Sequence, residues 1–111
     1  MTDADRKALK TLLDRPLDDL MAELELYDPA SRGPGDAWNK IAGPLRQRLC
    51  VEWGWCQVRK DERFGDVIDL GIAVFAVLAA SPLRLPLNVD VALVTAIVVK
   101  FGLDKFCRCP Q

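Results

Sequence analysis

Polar and apolar positions are divided unevenly along this chain. Between Leu70 and Val99 the only formal charges are Arg84 and Asp90, whereas acidic and basic side chains are interleaved through the first 66 residues. Two apolar stretches result, Val67 to Ala80 and Leu87 to Val99, separated by Ser81-Pro82-Leu83-Arg84-Leu85-Pro86. Asp66 is placed to cap the first stretch as a helix, with Asp69 near the positive end of its dipole. Asn88 is placed to cap the second, with Asp90 in its first turn. Valine is frequent in the second stretch and lowers helix propensity slightly, but the run is long for a strand. The pattern predicts an antiparallel apolar helical hairpin over residues 66–106.

Before the hairpin, apolar residues fall at helical spacing among charges. Leu9, Leu12 and Leu13 mark a first helix that Asp3 is placed to cap. Asp14-Arg15-Pro16 restarts it, with Asp14 at the cap and proline tolerated in the first turn. Leu17, Leu20, Met21 and Leu24 then recur at i, i+3, i+4 and i+7, a single stripe. Residues 1–27 therefore read as amphipathic N-terminal helices.

Residues 28–36, rich in Pro and Gly, read as a loop and as the one flexible joint. Asp36 is placed to cap a central helix over residues 37–60. Ile41, Leu45, Leu49 and Trp53 recur every four positions there, and Val51, Trp55 and Val58 form a second stripe. Gly43-Pro44 is expected to break or kink this helix. Leu49, Val51, Trp53 and Trp55 also alternate as in a strand, a reading that ranks below the helix. The expected fold is all-α, a small four- or five-helix bundle in a single domain over residues 1–111.

Charge and chemistry narrow the function classes. The net charge is −1. Without a concentrated basic face, no nucleic acid is expected as a partner. There is no histidine, which removes the commonest general base and a frequent metal ligand. Ser31 and Ser81 lie in no nucleophile elbow, and no glycine-rich phosphate loop occurs. Asp18, Asp19, Glu23 and Glu25 cluster near a helix start, where acidic residues favour the dipole and stay solvated. No enzymatic activity and no cofactor are expected.

The N-terminus is polar and has no apolar run behind it, so a cytoplasmic location is expected and the cysteines read first as thiols. Cys50, Cys56, Cys107 and Cys109 could together form a tetrathiolate zinc site. On an unbroken helix, however, Cys50 and Cys56 point about 120° apart. One residue between Cys107 and Cys109 is also unusual for a zinc knuckle. A disulfide from Cys50 or Cys56 to the tail ranks low for the same compartment. The expected state is two small core thiols and a partly exposed tail pair, with Cys107 or Cys109 the more reactive beside Lys105 and Arg108. Trp38, Trp53 and Trp55 read as large pieces of the core. Gly54, Gly71 and Gly102 read as sites of close packing.

A 15-residue helix spans about 22 Å, short of the roughly 30 Å hydrocarbon thickness, and Asp69, Arg84 and Asp90 are costly at membrane depth. The apolar surplus is therefore expected to be sheltered by protein. The leading reading is a non-catalytic helical adaptor that oligomerises or docks a protein partner. Its expected faces are Leu17, Leu20, Met21 and Leu24, with Ile97, Phe101 and Phe106. A membrane-active protein inserting the hairpin is the alternative, and a small zinc or redox protein using the four cysteines is the second.

Overall fold

The computed structural model describes residues 3–33, 35–80, 85 and 89–110. Among them the protein is all-α, with no strand. Five longer helices are α1 (Asp3–Leu13), α2 (Leu17–Glu25), α3 (Asp36–Arg46), α5 (Val67–Ala79) and α6 (Val91–Phe101). Two short ones are α4 (Trp55–Val58) and α7 (Leu103–Cys107).

The apolar hairpin forms as its pattern predicts, but its two helices have different roles. Asp66 caps α5, its carboxylate accepting from the Ile68 and Asp69 amides. Asp90 caps α6 through the Ala92 amide at 2.9 Å. The expected cap Asn88 lies outside the described residues. Every residue of α6 from Ala92 to Val99 is buried, because α1, α2 and α5 all pack around it. The start of α5 and the end of α6 meet, with Leu70 and Val99 lining one cleft, so the two run antiparallel. In α5 only Gly71, Val74 and Leu78 are buried.

The N-terminal helices supply the cover that α6 needs. Leu9 and Leu13 of α1 and Leu20 and Leu24 of α2 are buried. Gly71 lets α1 approach α5 closely, since a β carbon there would stand 3.0 Å from Leu9 Cδ2. Lys100 Nζ donates to the Leu13 carbonyl at 2.9 Å, satisfying an orphan acceptor at the end of α1. Pro16, not Asp14, occupies the cap position of α2 and offers no side-chain bond.

The described part of the 28–36 loop is pinned, not a flexible joint. Glu25 Oε1 accepts from the Gly35 amide at 2.8 Å and the Ala37 amide at 3.4 Å, and Glu25 also accepts from the Ser31 hydroxyl. A carboxylate ten residues upstream thus caps α3, in place of Asp36, whose Oδ2 instead accepts from the Arg32 amide. Asp28, with its side chain 2% exposed, pairs with Lys40 at 2.5 Å and accepts from the Ala30 amide. The Lys40 hydrogen bond, with help from Ala30, holds the Asp28 carboxyl below the usual carboxylate range.

The central segment departs most from expectation. Pro44 sits inside α3 without breaking it. The irregularity falls just downstream, where Gln47–Glu52 widens into a π-helical turn and the Trp53 amide reaches back to the Arg48 carbonyl at 3.0 Å. Gly54, at φ +70°, then ends the helix in the left-handed region. The backbone angle at Gly54, not close approach of another chain segment, is what requires glycine there. The single helix over 37–60 is replaced by α3 with its π turn, followed by the separate α4.

Candidate functional site

The break at Gly54 brings all four cysteines to one seam. Cys50 is carried on the π turn, Cys56 on α4, Cys107 on the last turn of α7 and Cys109 just beyond it. Cys50 bonds to Cys107 and Cys56 to Cys109, and no free cysteine remains. This overturns the expected thiol state. The thiol reading rested on the expected reducing compartment, and the paired geometry of the four cysteines displaces it. The reactive-thiol role of Cys107 or Cys109 falls with it. Among the described residues no cluster of histidine, cysteine or carboxylate groups is arranged to hold a metal ion.

Polar contacts run along the same seam. Trp55 Nε1 donates to Asp104 Oδ1 at 2.8 Å, and Arg59 pairs with Asp104 Oδ2 at 3.4 Å. Arg59 also donates to the Pro110 carbonyl at 2.6 Å. Arg46 donates to the Phe106 carbonyl at 3.2 Å while its guanidinium lies 4.9 Å from that ring's centroid. Beneath them sit two aromatic groups. Trp38 packs with Phe101 and Phe106, and Trp53 and Trp55 pack with Phe64 at centroid distances of 5.4–5.8 Å. Trp38 and Trp55 are buried, as core pieces should be, and Trp53 is half-buried.

The residues expected to meet a partner are mostly committed to the chain's own interior. Leu20, Leu24 and Ile97 have no exposure and Phe106 has 1%. Their stripes face α6 and the seam, so they form core and not an outward surface. Leu17 and Met21 are half-buried against that core. Phe101 alone of the set reaches the surface substantially, at 38% exposure.

Among the described residues, Leu26 and Val51 are singly the most exposed large apolar side chains, and the continuous apolar surface lies on α5. From Leu70 to Ala80 every residue is apolar or glycine, so this helix has no polar face over that length. Gly71, Val74 and Leu78 point inward, which turns Ala76, Ala79 and Ala80 to the exterior. Ile72, Ala73 and Phe75 are half-exposed beside them. Only Asp69, at the first turn, puts a charge on that side. Sequence reasoning missed this face by assigning the surplus to α6; the signal available was the absence of any polar residue along α5. No helix of the described residues is long and apolar enough to cross a membrane.

Comparison with known proteins yields no match to a family model, a curated protein or a solved structure.

Proposed function

We propose that this chain is a non-catalytic helical interaction module that docks an apolar helix of a protein partner, or of a second copy, on the outer face of α5. The observation that carries this reading is the apolar run Leu70–Ala80 with only Gly71, Val74 and Leu78 buried. A helix apolar all round belongs in an interior, and α5 has protein on one side. Ala76, Ala79 and Ala80 keep the surface low, so another helix can approach closely and bury Ile72 and Phe75. A net charge of −1 offers little repulsion between copies. No nucleic acid, cofactor or catalytic group enters the proposal.

Two disulfides in a chain of 111 residues favour an oxidising compartment over the cytosol, and we adopt that in place of the cytoplasmic expectation. The membrane-active alternative is the reading this one must beat.

Light scattering on the oxidised protein across a wide concentration range, with Nile red as a neutral apolar probe, tests the proposal. The expected result is concentration-dependent association and dye binding, both lost in Ala76→Arg without a change in melting temperature. A strict monomer that binds no dye overturns it. Co-flotation with liposomes that Ala76→Arg abolishes replaces it with the membrane reading.

A further inference from the structure

A cleft of about 540 Å³ opens where α4 and the 3₁₀ turn Glu62–Gly65 face the junction of α6 and α7. That size suits a small organic molecule, for which sites of roughly 300–1,000 Å³ are usual. One wall is apolar, built from Phe64, Leu70, Val99 and Leu103 with Trp55 behind them, and Arg59, Lys60 and Asp104 line the rest. Gly102 lines it where the chain turns at φ +103°, a backbone angle that favours glycine.

The charges at the cleft select the sign of the ligand. Arg59 and Lys60 line it against a single carboxylate, Asp104. Both oxygens of that carboxylate are already engaged, one by Trp55 and one by Arg59. Lys60 is exposed and makes no hydrogen bond or ion pair with any described residue. The nearby acids do not cancel it. Asp61 is paired with Arg63, and Asp61, Glu62, Asp66 and Asp69 all lie outside the lining of the cleft. An unpaired ammonium beside a flat aromatic wall attracts an anion and repels a cation.

We propose that this cleft binds a small aromatic carboxylate, its ring against Phe64 and Leu103 and its carboxylate facing Lys60. The site lies away from the outer face of α5 and does not depend on that face docking anything. Titration of the oxidised, ¹⁵N-labelled protein with 2-naphthoate, followed by NMR, tests it directly. The Trp55 indole N–H resonance is expected to shift saturably. Lys60→Gln, an exposed position, is expected to weaken binding about five-fold with no change in melting temperature. The amine analogue 1-naphthylmethylamine is expected to bind at least about ten-fold more weakly. Ala76→Arg is expected to leave naphthoate binding unchanged. The proposal is overturned by a shift that does not saturate, by equal binding of the amine, by indifference to Lys60→Gln, or by loss of binding in Ala76→Arg.

Discussion

Removing one disulfide should cost less than half of what removing both costs, because the two bridges span the same seam. The sequence separations are 57 and 53 residues. In the chain-entropy treatment, either bridge alone closes a loop worth about 4 kcal/mol. With one in place, the other closes only a small ring. Cys50 and Cys56 lie six positions apart and Cys107 and Cys109 two, an effective loop of about eight worth about 2.5 kcal/mol. Cys50→Ala with Cys107→Ala, or Cys56→Ala with Cys109→Ala, is therefore expected to lose about 2.5 kcal/mol. The variant lacking all four cysteines is expected to lose about 6.5 kcal/mol, more than the two single-bridge losses combined. Urea unfolding followed by tryptophan emission measures each, with the slope of the transition checked for a changed denatured state. A four-cysteine variant that loses no more than the sum of the other two would refute the shared-seam argument.

Two further outcomes follow from the interior. Ile97→Ala should cost about 2–5 kcal/mol in thermal or urea unfolding, since it empties a site with no exposure at all, while leaving any α5-mediated association intact in the folded fraction. Asp28 has its carboxyl below the usual range, so its pairing with Lys40 supports the fold fully above the ordinary unfolded value and is lost as pH falls through the lower folded one. Lys40→Met should flatten the acid limb of a stability–pH profile measured between pH 2 and 6, and an unchanged acid limb would remove Asp28 from the account.

Local signals carried much of the architecture. Asp66 and the apolar period after it located α5 within a residue, and Leu9, Leu13, Leu20 and Leu24 were readable as one-sided stripes. The side they face was not readable. The stripe on α2 that was expected to meet a partner joins that of α1 as the cover over α6, and only the three-dimensional arrangement shows that one apolar helix is central and the other peripheral. Loop order was hidden for a related reason: Glu25 caps α3 across ten residues, a tie that no cap rule of adjacent positions contains. The cysteine pairing was missed because a polar N-terminus reads as a cytoplasmic signal, and that compartment ranks disulfides low; Cys50 and Cys56 each pair with a different tail cysteine. The glycine at 102 was a reversal in the chain, not a contact.

The same seam changes what damage does to the molecule. Everything from the π turn to the tail, including α5 and α6, lies within a covalent ring closed at residues 50–56 and 107–109. A protease that makes a single cut between Cys50 and Cys109 therefore releases nothing. The two pieces stay tethered and migrate as one mass in denaturant until a reductant separates them, whereas a cut before Cys50 leaves the N-terminal fragment held by packing alone.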